Sequence, residues 1–157
     1  GSEMCIRDST APDIWFLAHT MDQEFLQEEG IYRQLPQWLE WMPLVTSAQM
    51  ITALPEGRLR AEWGLGVEVQ QAQQIRLAPD APARLVQQGR VLEIYGSWQV
   101  TENGQNEAQM YRTCMDRAAA LNLIPEPMVY RTVFCYTEKA GLRQMHCMLR
   151  VAVKAPR

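Results

Sequence analysis

The residue with the most demanding chemistry in this 157-residue chain is an arginine set among apolar neighbours. Arg131 lies between Val129 and Val133 in a β-rich segment. A buried arginine without a partner is very costly, so this position predicts either a carboxylate close by or an anionic ligand. The carboxylates on other strand-like segments are Glu62, Glu68 and Glu93. An edge-strand arginine in water, or one in a structural ion pair, is the alternative interpretation.

A set of aromatic residues spread over both halves of the chain forms the candidate wall of a binding site. Aromatic side chains with one polar atom suit a flat apolar ligand and can orient it. Glu62 beside Trp63, or Glu93 beside Tyr95, could act there as a general base. The same rings could instead be core residues. The aromatic candidates are Trp15, Trp38, Trp63, Tyr95, Trp98, Tyr111 and Tyr130.

Other kinds of catalytic centre find little support in the sequence. The four cysteines form no CxxC pair and have no zinc-like spacing with histidine, and Cys135 and Cys147 read as packing residues. His19 and His146 are the only histidines, and they lie in different halves. No hydrolytic triad or phosphate loop is recognisable. We therefore predict no catalytic residue, no metal and no cofactor.

Composition narrows the class of protein. A hydrophobic fraction of 47%, with five Trp and nine Met, indicates a folded globule. The net charge of −3 and the scattered basic residues argue against direct nucleic-acid binding. No apolar run approaches the roughly eighteen residues that span a membrane, and reduced thiols favour a cytoplasmic protein. Residues 1–9 match nothing that follows, so we expect a non-native or disordered leader there.

The first half of the chain predicts a strand, a helix and two more strands. Ile14 to Ala18 is uniformly apolar, and Asp22 could cap a helix that extends to Met42, kinked by Gly30 and Pro36. Strands are expected at 49–54 and 58–69, joined by a turn at 54–58. In the second of these strands the odd positions, from Leu59 to Val69, form the core face.

The second half repeats this order more regularly. A strand broken at Gly96 precedes a loop at 101–105, a helix at 106–121, and strands at 129–136 and 142–153. Residues 70–83 connect the halves, which are too small to be stable alone. The predicted fold class is α+β, with two tandem pseudo-symmetric β-α-β-β modules (14–69 and 83–154) in one domain, 10–157. They would form one curved antiparallel sheet with two helices on one face.

Several short segments resemble the GyrI-like, or AraC-type effector-binding, domain, a family related to the multidrug-binding domain of the regulator BmrR. They are Gln88 to Trp98 before the second helix, Leu121 to Pro125 and Val129 to Arg131 after it, and, in the first half, Leu54 to Arg58 and Gly64 to Val69. The resemblance covers roughly residues 14–155.

The resemblance implies a groove between the helices that receives small organic ligands, often cationic ones held by an acidic residue after the second helix. Arg131 stands at the position aligned with that acid, a reversal that favours an anionic or neutral ligand. The chain would be a stand-alone binder or the sensory domain of a transcriptional regulator, with a fused or separate DNA-binding domain. Related folds leave three alternatives open: hydrolysis of reactive electrophiles by a pocket Glu, a gyrase-inhibitor-like protein-binding module, and haem ligation as in SOUL proteins. The oligomeric state is not predicted.

Overall fold

The computed structural model describes residues 4–101 and 106–157 as an antiparallel sheet with three helices. The elements in chain order are β1 (Cys5–Ala11), β2 (Ile14–Met21), β3 (Glu24–Phe25), α1 (Glu29–Leu39), β4 (Thr46–Ala53), β5 (Leu59–Glu68), α2 (Val69–Gln74), β6 (Arg84–Val86), β7 (Gly89–Gln99), α3 (Asn106–Ala120), β8 (Ile124–Lys139) and β9 (Leu142–Lys154). Within those ranges the predicted α+β class is confirmed.

The strands form one curved, nine-stranded sheet over the described residues, in the order β1-β7-β9-β8-β4-β5-β2-β3, with β6 also paired to β2. Strand β4 pairs with β8 and so joins the strands of the first half to those of the second. Because both halves share one continuous hydrogen-bonded sheet, neither needs to bury its apolar face alone.

Helices α1 and α3 pack on the same face of the sheet, which we call the helix-bearing face. Ile31 and Trp38 of α1 lie in one core cluster with Leu17 of β2 and Leu65 of β5. Met110, Cys114 and Ala118 of α3 lie in a second core cluster with residues of β7, β8 and β9. Side chains of consecutive strand residues point to opposite faces.

The other side of the sheet, the opposite face, is also largely buried. Phe16, Met50 and Tyr130 there are at most 5% exposed, and they cluster with apolar residues of neighbouring strands. In β5 the even positions Glu62 and Gly66 are buried as well as the odd Leu65. The alternation predicted for this strand is present, but it separates two faces that are both largely buried, one beneath α1 and one in the cluster of Phe16, Met50 and Tyr130.

The first helix differs from its prediction. It begins at Glu29 rather than near Asp22, whose backbone has a φ of 48° that no helix start adopts, and the short β3 occupies the intervening residues. Pro36 lies inside a helix that continues to Leu39. A proline costs one amide hydrogen bond, and the complete burial of Trp38 offsets that cost.

Two further segments also differ from the predictions. Strand β7 runs through Gly96 without the expected break and pairs with β9 as far as Gln99. Residues 5–9, expected to lie outside the fold, form strand β1 with Thr10 and Ala11 and pair with β7. The predicted loop at 101–105 falls outside the described residues except for Thr101, as do residues 1–3.

The helix predicted for the second half of the chain and both predicted hairpins occur where expected. Helix α3 spans Asn106–Ala120. Leu54 N–H donates to Arg58 O at 2.8 Å, and Gly57 has the positive φ that the turn requires. The β8–β9 turn uses positive φ at Ala140 and Gly141. None of the helices, over the stretches of chain that are described, has the length and apolarity needed to cross a membrane.

Candidate functional site

Three central strands place a polar row on the helix-bearing face, between the two helices. Gln49 of β4 pairs with Trp63 of β5 on one side and with Arg131 of β8 on the other. Directly paired residues of an antiparallel sheet point to the same face, so the three side chains are neighbours. Gln49 is fully buried and Arg131 is 2% exposed, whereas Trp63 is half-buried.

The Arg131 guanidinium lies against the ring of Trp63. Its central carbon is 4.5 Å from the ring centroid, and its Nη1 donates to the sulfur of Met110 at 2.9 Å. Its Nε has no hydrogen-bond partner among the described residues, and no described carboxylate is close enough for an ion pair. Burial lowers the pKa of Arg131, an effect partly offset by Cys147 and Glu107. An arginine still remains protonated in proteins, so an unpaired positive charge lies behind Trp63.

Glu107, in the first turn of α3, is the carboxylate associated with this row. Its Oε1 accepts a hydrogen bond from Gln49 Nε2 at 3.2 Å. Its Oε2 is buried without a partner in the described chain, and so is Gln49 Oε1. Buried polar atoms are rarely left unsatisfied, and such atoms beside a groove often await a ligand or water.

Two grooves meet at Trp63. The first, which we call the Trp63 groove, has a volume of about 390 Å³ and is lined by Trp63, His19, Thr20, Ser47, Gly64, Val133, Phe134, Cys135 and Tyr136. The second, the Glu107 groove, has a volume of about 280 Å³ and is lined by Asp22, Gln23, Leu59, Ala61, Trp63, Glu107 and Ala108. These volumes suit a small organic molecule rather than a large cofactor.

One wall of the Trp63 groove is extended by a stack of rings that begins at His19. The imidazole of His19 stacks on Phe25 with centroids 6.0 Å apart, and Phe25 stacks on Tyr32 at 5.8 Å. His19 Nδ1 is 2.7 Å from Thr20 Oγ1. Burial lowers the pKa of His19, so the imidazole is neutral at pH 7 and adds no positive charge to the groove.

The aromatic candidates do not line one common cavity. Trp63 lines the grooves just described, with Arg131 behind it. Trp15 and the fully buried Trp38 of α1 pack in the core between α1 and the sheet, and Trp98 and Tyr111 of α3 pack in the core between α3 and the sheet. Tyr95 and Tyr130 lie on the opposite face, where Tyr130 meets Phe16 edge-on at 6.2 Å.

The two predicted pocket glutamates are held by arginines on the opposite face. Glu62 accepts two hydrogen bonds from Arg84, at 2.6 and 2.9 Å. Glu93 lies 3.2 Å from both Arg7 and Arg150. Glu62 directly precedes Trp63 in β5, and its side chain points to the other face because adjacent residues of a strand face opposite ways. Both carboxylates are held by arginines on the face away from the Trp63 ring, so neither is placed to act as a general base beside it.

The site residues that the sequence did not reveal are Gln49 and Glu107 of the polar row and Phe134, Tyr136 and His19 of the Trp63 groove. Gln49 and Glu107 carried no signal, since each is an isolated polar residue in an ordinary strand or helix. Phe134 and Tyr136 reach the groove because a β-bulge shifts the register between Val133 and Cys135. An added residue in one strand reverses the faces of those that follow, which no period-of-two pattern predicts.

The thiols are free and divide into two classes. Cys114 and Cys147 are buried, and burial raises the pKa of Cys114 to about 12 and that of Cys147 to about 11. Cys5 and Cys135 are exposed, so the prediction of a packing role is wrong for Cys135 and holds for the buried Cys147. Across the ranges 4–101 and 106–157, no cluster of three His, Cys, Asp or Glu could hold a metal ion.

Comparison with protein-family models and with curated proteins found no match. Among solved structures, the chain resembles a hydrolase from Listeria innocua, with a TM-score of 0.53 and 10% sequence identity over 95% of this chain and 91% of the other. A second solved structure of a hydrolase from Listeria innocua covers 97% of this chain and 92% of that chain, with a TM-score of 0.48 and 9% identity. At 10% identity the first likeness shows a shared fold.

Proposed function

We propose that this protein binds a small, flat, neutral or anionic organic molecule in the Trp63 groove. The observation that carries this proposal is the Arg131 guanidinium lying 4.5 Å from the Trp63 ring centroid without a carboxylate partner among the described residues. Arg131 is already the cation bound to the Trp63 ring, so a cationic ligand on the same ring would be repelled by its charge. A ligand on the Trp63 groove side of the ring therefore meets the positive charge of Arg131, whereas Glu107 lines the adjoining groove.

The surrounding groove fits the same ligand class. Aromatic side chains of β5 and β8 line it, and the half-buried Trp63 forms part of its surface. Ser47 and Thr20 add hydroxyl groups that can donate to a carboxylate or carbonyl oxygen. An apolar groove with a few polar groups is the usual design of a small-molecule site.

Titration with a panel of flat aromatic compounds tests the proposal. Trp63→Leu should weaken binding by about two- to tenfold, because aromatic stacking contributes about 0.5–1.5 kcal/mol beyond the buried area. Trp41→Leu is the matched control, since Trp41 is 42% exposed and does not line the Trp63 groove. Binding that is lost equally in both variants, or absent across the whole panel, would contradict the proposal.

The identity of the chain as a GyrI-like effector-binding domain of two tandem modules, 14–69 and 83–154, remains our proposal. The strand order supports it: β2, β5 and β4 on one side of the β4–β8 junction mirror β7, β9 and β8 on the other. In each half the helix follows the first of these strands.

A role as the sensory part of a transcriptional regulator follows from that proposal, as does a cytoplasmic location. The genomic sequence upstream of Thr10 tests the regulator role. A helix-turn-helix segment there would support it, and an upstream segment with no DNA-binding character would favour a stand-alone binder.

Hydrolysis of a small electrophile is the second candidate function, and Glu107 is the residue that favours it. Its Oε2 has no hydrogen-bond partner in the described part of the chain, and it lines a groove together with Trp63. A carboxylate in this position can act as a general base on water. The hydrolase from Listeria innocua with the same fold makes this activity worth testing.

The hydrolase candidate predicts turnover that depends on Glu107 and not on Glu62 or Glu93. Replacing a general base typically costs about 10²–10⁴-fold in rate. Glu107→Gln should therefore abolish hydrolysis of strained-ring or similarly reactive compounds, whereas the exposed Glu40→Gln should not. Turnover that survives Glu107→Gln would exclude Glu107 as the base.

A further inference from the structure

A serine, a histidine and a threonine form a hydrogen-bonded chain away from the Trp63 groove. Ser97 of β7 pairs directly with His146 of β9, and Ser97 Oγ is 2.6 Å from His146 Nδ1. The other ring nitrogen, Nε2, is 2.6 Å from Thr137 Oγ1 of β8. Ser97 and His146 are half-buried, and Thr137 is exposed. Ile94 and Trp98 of β7 point toward α3, so Tyr95 and Ser97, which alternate with them, lie on the opposite face of the sheet.

This arrangement has the parts of an activated nucleophile. A serine hydroxyl becomes nucleophilic when a neighbouring base takes its proton, and the base acts best when a third group orients it. If Thr137 Oγ1 accepts the hydrogen of Nε2, the lone pair of His146 lies on Nδ1 and faces the Ser97 hydroxyl. We propose that Ser97 is a nucleophile activated by His146, and that it accepts the acyl group of small activated carboxylic esters.

A shallow site beside Ser97 can receive such an ester. A depression of about 290 Å³ is lined by Cys5, Tyr95, Gly96, Ser97, Phe134, His146 and Cys147. The rings of Tyr95 and Phe134 are nearly parallel, with centroids 6.2 Å apart and an interplanar angle of 6°. They offer an apolar wall for an aryl leaving group.

The β-bulge in β8 adds a candidate for stabilising the transition state. The register with β9 skips Phe134, which has no cross-strand partner. The extra residue of a bulge is left out of the hydrogen-bond ladder, and a free backbone N–H is the kind of donor that stabilises a developing oxyanion. The bulge therefore places Phe134 beside the depression, and its backbone N–H is the candidate oxyanion donor of the proposed site.

The proposed reaction has two balanced steps. Ser97 Oγ attacks the ester carbonyl as its proton passes to His146 Nδ1, and the bond to the leaving oxygen then breaks as that oxygen takes the proton back. The result is an acyl-Ser97 ester and a free alcohol or phenol. Water then attacks the acyl group in the same way, giving a carboxylic acid and restoring Ser97. Thr137 is a positioning residue, and no described carboxylate orients His146, so turnover should be slow.

The experiment uses the full chain and p-nitrophenyl acetate. We expect a burst of nitrophenol, followed by slow turnover, and one acetyl group on the acid-quenched protein. Peptide mapping of the wild-type protein should locate it on Ser97 rather than on the exposed thiols of Cys5 and Cys135. This readout requires no variant to fold. Acetyl found on other residues only, or no acetyl at all, would overturn the proposal.

Variants then assign the roles. Ser97→Ala should abolish the burst, and His146→Gln should slow acylation by about 10²–10⁴-fold. Thr137→Val should slow acylation and Thr137→Ser should restore it. Thr113→Ala, which removes an exposed hydroxyl on α3, is the control. A burst unchanged in Ser97→Ala would refute the nucleophile. Acylation is measured without any aromatic ligand and on Thr113→Ala as well as the wild-type protein, so failure here and failure of ligand binding can be told apart.

Discussion

Replacing Arg131 with methionine should remove the preference of the Trp63 groove for anions. The guanidinium carbon lies 4.5 Å from the centroid of the Trp63 ring. A ligand stacked on the other ring face lies roughly 3.5 Å beyond it, so its charge would be about 8 Å from that of Arg131. With an effective dielectric constant of about 20, the attraction is about 2 kcal/mol, or roughly 30-fold in affinity.

A set of ligands matched in shape and differing in charge measures this effect. Naphthoate should bind the wild-type protein roughly 30-fold more tightly than naphthamide, and naphthylmethylammonium should bind most weakly. In Arg131→Met the three affinities should converge. Arg112→Met removes the same charge from an exposed position of α3 and should leave the order unchanged. Calorimetric titration at low salt is the assay, since screening weakens the effect.

The same variant should be more stable than the wild-type protein. Arg131 is 2% exposed and has no described ion-pair partner, so methionine removes a large desolvation cost and forfeits a cation–π contact of about 0.5–2 kcal/mol. We expect the free energy of unfolding, measured in urea, to rise by about 1 kcal/mol.

In the ligand titrations, selectivity that persists in Arg131→Met, or tightest binding of the ammonium compound, would refute the electrostatic reasoning.

Three further predictions concern the fold and its titrating groups. Gly66→Ala should lower the free energy of unfolding by about 1–3 kcal/mol, because a Cβ there would clash with the hydroxyl oxygen of the buried Tyr130. Gly141→Asn, at a turn with open space and positive φ, should be nearly neutral. Burial lowers the pKa of His19 below its usual 6.5, so the unfolded chain binds a proton at a higher pH than the folded protein does. The free energy of unfolding should therefore fall as the pH drops below about 6.5. His19→Gln should show a shallower loss in urea titrations across that range, and an unchanged slope would contradict the assignment. Labelling of the native protein with a thiol reagent should modify the exposed Cys5 and Cys135 but not the buried Cys114 and Cys147. Modification of all four cysteines before unfolding would refute the burial argument.

Local sequence patterns predicted most of the elements because each depends on nearby residues. The alternation from Leu59 to Val69 indicated β5, and the helical spacing after Asn106 indicated α3 with an end only one residue away. The turn at 54–58 followed from Pro55 and Gly57, whose backbone preferences are intrinsic. The predicted start of α1 is wrong because Asp22 lies in the turn between β2 and β3, where its Oδ1 accepts from the Ala61 N–H. Tertiary contacts here override a capping preference.

The amino-acid sequence alone determined the α+β class, the order of the second half, and the presence of an arginine at position 131 that needs compensation. Only the tertiary structure decided what surrounds that arginine. Its neighbours Trp63 and Gln49 come from strands far away in the chain, and Glu107 comes from a helix. Register fixes which side chains share a face, and a shift of one residue moves each of them to the other side. Pairing between distant strands, not local preference, therefore brings the site residues together and places Glu62 on the opposite face.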